Sequence, residues 1–247
     1  EFLQSYPVRR GCPLPAGTQP SRLTQPLFYQ IISTKPGRRK NDPPVRETNT
    51  FVLYDIAGEN CVDELAMQRF GIFVEKSDGL ILLLDPSQFP ILGVQPQRGA
   101  QDDIASRRPD IVLQNLYRVV AGRHADSAVS VPLAVCVSKS DEFADYPGLP
   151  DCVFEQVTRA PDGSSFNTEE HRPIHQFLDR FFRENSPALY GHVTQLYENY
   201  RFFLFSAMGC KMKSITDPNG REIQTPSRPP VAKRIEEPLL WLLYQFG

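Results

Sequence analysis

The chain has 247 residues, of which 40% are hydrophobic and 23% charged, the proportions of a folded chain with its own core and not of a disordered or fibrous one. Its formal net charge of −2 supplies no overall field to draw it onto nucleic acid or an anionic membrane, so any anion site must be built locally. Five cysteines, at positions 12, 61, 136, 152 and 210, carry neither a disulfide framework nor zinc spacing and point to a reducing, cytoplasmic setting, while no apolar run approaches the ~20 residues that cross a bilayer.

Residues 1–26, rich in Pro, Gly and Arg, read as an extended loop with no resemblance to a signal peptide. LFYQIIS (27–33) and TFVLYD (50–55) read as strands joined by an overlong hairpin connection, with Arg38, Arg39 and Lys40 at a solvated tip. GLILLLD (79–85), VPLAVCVSKSD (131–141) and YRFFLFSAMG (200–209) are short and continuously apolar, as strands covered on both faces of a parallel sheet are.

Helical patterns lie between and after these runs: DELAMQRFGIFVEK, DIVLQNLYRVVAGR from Asp110, PIHQFLDRFFREN from Pro173, and VAKRIEEPLLWLLYQF at the end. The alternation predicts an α/β fold, a doubly wound and mostly parallel sheet with flanking helices. The long connections at about 86–109 and 142–173 are expected as insertions within a single domain over 1–247.

In such a sheet ligands bind beyond the carboxyl ends of the strands. Three ends are unusual. Asp55, with Gly58 three residues on, pairs a carboxylate able to hold hydrated Mg²⁺ with a backbone N–H that a terminal phosphoryl group can approach; a turn cap is the alternative. Ser138-Lys139-Ser140-Asp141 offers an acceptor-only carboxylate to the N1–H and amine of a guanine, with the Lys139 stem along the base; a solvated turn is the alternative. Ser206-Ala207 presents small residues and an N–H to the guanine carbonyl oxygen.

In this order the three segments resemble the switch II (D-x-x-G), guanine-specificity ([NTS]-K-x-D) and S-A-x motifs of TRAFAC-type P-loop GTPases. LPAGTQP and RIEEPLLWLL are similar, more narrowly, to the bacterial double-GTPase group, whose domains occur in multi-gene conflict or signalling systems. The resemblance implies a guanine-nucleotide switch that hydrolyses GTP with Mg²⁺ and meets protein partners. By the same resemblance Asp55 holds Mg²⁺ through water and Gly58 meets the γ-phosphate. Lys139 and Asp141 select guanine in the motif that Ser138 opens, and Ser206 and Ala207 line the base. Thr18, with Thr24 as the alternative, is the switch I threonine of the metal shell. Glu59 stands where many small GTPases carry the water-orienting glutamine.

The G-x-x-x-x-G-K-[ST] phosphate loop of that superfamily occurs nowhere in these residues, which by themselves are not expected to bind GTP tightly. Its strand belongs between the runs at 50–55 and 79–85, and leaving it out strands two rows of backbone polar groups at about 1 kcal/mol or more each. The first residue is Glu1 and not methionine, so an upstream segment of roughly 40 residues is expected, with another element filling the gap as the alternative. A catalytically inactive GTPase-like interaction module is the alternative.

His171 and His175, four apart, lack a third ligand and read as surface polar residues. The density of aromatic residues reads as core, and Trp241, Leu242, Leu239 and Phe246 as a terminal helix docked on the sheet. The Ser and Cys residues have no accompanying hydrolase pattern.

Overall fold

A computed structural model describes residues 26–35, 43, 45–56, 61, 73–94, 108–122, 127–158, 160–216, 220 and 222–246. Its centre is a three-stranded parallel sheet of β3 (Leu80–Leu84), β4 (Leu133–Val137) and β5 (Tyr200–Leu204), in that order. Leu84, Val137 and Leu204 stand side by side at its carboxyl end. All five residues of β4 are buried, which is why this run shows no polar alternation.

The two faces are separated by the strand period of two. Leu82, Leu84, Val135, Val137, Phe202 and Leu204 face one core, covered by α1 (Pro109–Ala121), α2 (Thr168–Asn185) and α3 (Pro187–Leu196). Ala134, Cys136 and Phe203 face the other, where α4 (Glu237–Gln245) lays Trp241 and Leu242 on the sheet. The terminal helix therefore docks as expected, although Phe246 at its end is exposed.

The helices depart from their predicted bounds in ways that capping explains. α2 begins at Thr168, because the Asn167 side chain accepts the Glu170 N–H at 3.3 Å and supplies an N-cap. Pro173 thus lies inside the helix and not in its first turn, on an exposed stretch where the carbonyl left without a donor is open to solvent. Ser186 ends α2 and starts α3, a helix the periodicity did not reveal. The pattern starting at Val231 becomes helical only at Glu237, since Lys233 forms a β-bridge with Ser206 and Arg234 has a left-handed φ of 55°. The pattern DELAMQRFGIFVEK lies mostly outside the described residues.

β1 (Leu27–Lys35) and β2 (Val45–Leu53) form the expected hairpin with longer arms. They make a separate two-stranded sheet and do not join β3 among the described residues. The edge of β3 opposite β4 accordingly has no strand partner there, and Ile81 and Leu83 on the α4 side are 42% and 61% exposed. A second hairpin, β6 (Met212–Thr216) with β7 (Glu222–Pro226), was not foreseen. Among the described residues no helix is long and apolar enough to cross a membrane.

Candidate functional site

Parallel register brings the tips of β3, β4 and β5 together. Ser138 N–H donates to Leu84 O at 3.0 Å, Phe205 N–H to Val137 O at 3.1 Å, and Ser140 N–H to Phe205 O at 3.0 Å. Between these anchors Lys139 takes a φ of 53°, a conformation that costs a non-glycine residue about 1 kcal/mol. The turn sends the chain into a short 3-10 segment, Ser140–Phe143, and places Asp141 toward β5.

Two links between side chains cross the tips among the described residues. Lys139 Nζ lies 2.6 Å from Asp85 Oδ2. Asp85 also caps its own turn, accepting the Ser87 N–H at 3.0 Å on Oδ1. Burial alone would raise the Asp85 carboxyl, but the Lys139 ammonium and the Ser87 N–H outweigh it and hold the group below its ordinary value. In the second link Ser206 Oγ donates to Asp141 Oδ1 at 2.5 Å. The same hydroxyl accepts the N–H groups of Met208 at 3.3 Å and Gly209 at 2.8 Å. Gly209 has a φ of +61°, and a Cβ there would meet Val231 O at 2.0 Å, so the tight return of this tip requires glycine.

Of the residues singled out in the sequence, Lys139, Asp141, Ser206 and Ala207 are thereby gathered at adjacent strand tips. Ala207 is exposed, and its N–H makes no hydrogen bond among the described residues. Ser138 has a structural task, its hydroxyl donating to Leu84 O at 3.1 Å. Asp55 lies just past β2, exposed, on the separate hairpin. Thr18, Thr24, Gly58 and Glu59 lie outside the described residues. Asp85 was missed, although GLILLLD ends in a carboxylate just as TFVLYD does.

The reading of the histidines as surface residues is overturned. His171 is wholly buried, with Nδ1 3.1 Å from Glu237 Oε2 and Nε2 3.0 Å from Phe202 O. Buried Arg234 donates to Glu237 Oε1 at 2.5 Å, Glu170 Oε1 at 2.6 Å and Cys152 O at 2.5 Å. Burial would lower this guanidinium, and the Glu237 and Glu170 carboxylates more than offset it, holding the group above its ordinary value. His175 is largely buried too; burial, then the charges of Arg201 and His171, push it down to about 4. Its neutral Nδ1 accepts the Phe202 N–H at 3.2 Å. An exposed imidazole was expected because an isolated histidine spacing says nothing about partners in distant segments.

A cleft of about 690 Å³ opens next to this region, lined by Leu92, Glu142, Tyr146, Phe177, Arg180 and Lys211 among others. It contains none of Lys139, Asp141, Ser206 or Ala207. Among the described residues no three His, Cys, Asp or Glu side chains are grouped to hold a metal ion. No family model matches the chain, and no curated protein or solved structure is significantly similar to it.

Proposed function

We propose that the chain is the greater part of a guanine-nucleotide-binding switch domain, with the base held at the tips of β4 and β5. The observation that carries this reading is the hydrogen bond from Ser206 to Asp141. A carboxylate has about four acceptor positions, so one donated hydroxyl leaves room for the N1–H and amine of guanine on the same group. Adenine presents no such donor pair on that edge. The open Ala207 N–H suits the guanine carbonyl oxygen, and the apolar stem of Lys139, tethered at its end by Asp85, suits the flat face of the base.

The resemblance in the sequence assigns the remaining parts: Asp55, with Thr18, for Mg²⁺, and Gly58 with Glu59 for the γ-phosphate and the attacking water. Mg²⁺ would neutralise charge on the phosphates as the γ-phosphoryl group passes to water. Asp55 is an exposed carboxylate at the end of a strand, of the right type for a water-mediated contact. The described residues contain no phosphate cradle, so tight binding needs one supplied from elsewhere in the natural protein.

Titration of labelled GTP and ATP into the protein at its natural full length, with and without Mg²⁺, tests the reading. A preference for GTP that is lost in Asp141→Asn is expected; equal affinity for both bases in the unmodified protein would overturn it. The second reading is an inactive, GTPase-like interaction module. The exposed Ile81 and Leu83, beside an edge of β3 that has no strand partner among the described residues, favour it, because an apolar edge of this kind is a site for adding a strand. Absence of any nucleotide binding together with capture of a partner strand at β3 would select that reading.

A further inference from the structure

We propose that the buried chain Arg234–Glu237–His171 is a positioning device for Asp141, holding Lys233 against Ser206 so that Ser206 can set the carboxylate. The inference rests on the reading of Asp141 as the guanine-selecting group and adds what fixes its direction. The links form a closed ring. Ser206 and Lys233 exchange both main-chain hydrogen bonds, at 3.0 and 2.7 Å. The next residue, Arg234, reaches Glu237; Glu237 meets His171; and His171 meets the carbonyl of Phe202. Phe202 belongs to β5, the strand whose tip carries Ser206. The terminal segment therefore grips this strand twice, four residues apart.

Two features separate this arrangement from ordinary core packing. Arg234 combines a left-handed backbone with a fully buried guanidinium shared among three acceptors, Cys152 O, Glu170 and Glu237. Apolar contacts would anchor α4 at least as firmly as a buried ion cluster, but they carry no direction. Hydrogen bonds of fixed geometry set the register of Lys233 on Ser206, and a shift there would carry Ser206 Oγ away from Asp141. Arg234 and Glu237 touch no nucleotide in this scheme; they act through Ser206.

The test is the double variant R234Q/E237Q, which removes one charge of each sign from the cluster. NMR-detected amide exchange is followed at Met208 and Gly209, whose N–H groups bond to Ser206 Oγ, and at Ala134–Val137 in β4. About tenfold faster exchange at Met208 and Gly209 with β4 unchanged is expected, together with a tenfold loss of preference for GTP over ATP at full length and an unaltered requirement for Mg²⁺. Wild-type exchange at Met208 and Gly209, or equal acceleration in β4, would overturn the proposal. Glu170→Gln, at the solvent edge of the cluster, offers a milder probe if the double variant does not fold, and should accelerate the same two amides a few-fold. If the unmodified protein prefers neither nucleotide, the reading of Asp141 fails while the exchange data still decide the bracing. If it prefers GTP and the double variant keeps that preference in full, the positioning role fails alone.

Discussion

Ser206 Oγ and Asp141 Oδ1 lie 2.5 Å apart across 65 positions of sequence, and this contact joins the tips of two neighbouring parallel strands. It is served on both sides, since the hydroxyl that donates to the carboxylate also accepts two backbone N–H groups.

Removal of that hydroxyl should destabilise the strand tip. Ser206→Ala leaves the Gly209 and Met208 N–H groups without their acceptor, and an unsatisfied buried polar group costs about 1–3 kcal/mol. A loss of about 2 kcal/mol is expected in urea unfolding, with the slope unchanged. Ser206→Thr, which keeps the hydroxyl, should lose clearly less.

The pH dependence of stability should carry the mark of His175. Its folded form gives up its proton down to about 4, against 6.5 ordinarily, so the unfolded chain is the first to take up a proton as pH falls. The contribution of His175 is complete above about pH 6.5 and is lost progressively toward pH 4, by about 3 kcal/mol at most. Denaturation at pH 7 and 4.5 should therefore show the wild type losing more stability than His175→Gln. Equal losses in the two proteins would refute this role.

The two faces of β3 make opposite predictions for adjacent residues. Leu82 is 6% exposed and Leu83 61%. Leu82→Ala should cost about 2–5 kcal/mol through lost contacts and a cavity, whereas Leu83→Lys should change stability by less than about 0.5 kcal/mol. If the natural protein places a strand and helix over this edge, Leu83→Lys becomes costly at full length, by several kcal/mol. Comparing the two lengths in thermal unfolding distinguishes a covered edge from an open docking surface.

Two glycines with the same backbone should respond differently to alanine. Gly93 and Gly209 have φ of +64° and +61°, but a Cβ at Gly93 meets nothing within 4 Å while one at Gly209 collides with Val231 O. Gly93→Ala should cost about 1 kcal/mol for its left-handed conformation alone. Gly209→Ala adds a backbone displacement at the strand tip and should cost about 3 kcal/mol or more. Thermal unfolding of the pair separates conformational strain from steric conflict.

Local pattern sufficed to locate β3, β4, β5 and α1, because each is a run whose periodicity and flanking residues express burial directly. It also sufficed to single out Lys139, Asp141, Ser206 and Ala207 as strand-tip residues, since the end of an apolar strand is visible as a change of residue type. The arms of the first hairpin and the start of α2 were less legible, since pairing across strands and a capping Asn167 decide them. Tertiary contact alone determined that Lys139 answers to Asp85, that His171 is buried against Glu237, and that Lys233 stops the last helix pattern by pairing with Ser206. Each of those outcomes joins groups at least 27 positions apart, and a polar side chain carries no mark in its own segment of the distant partner that will make its burial affordable.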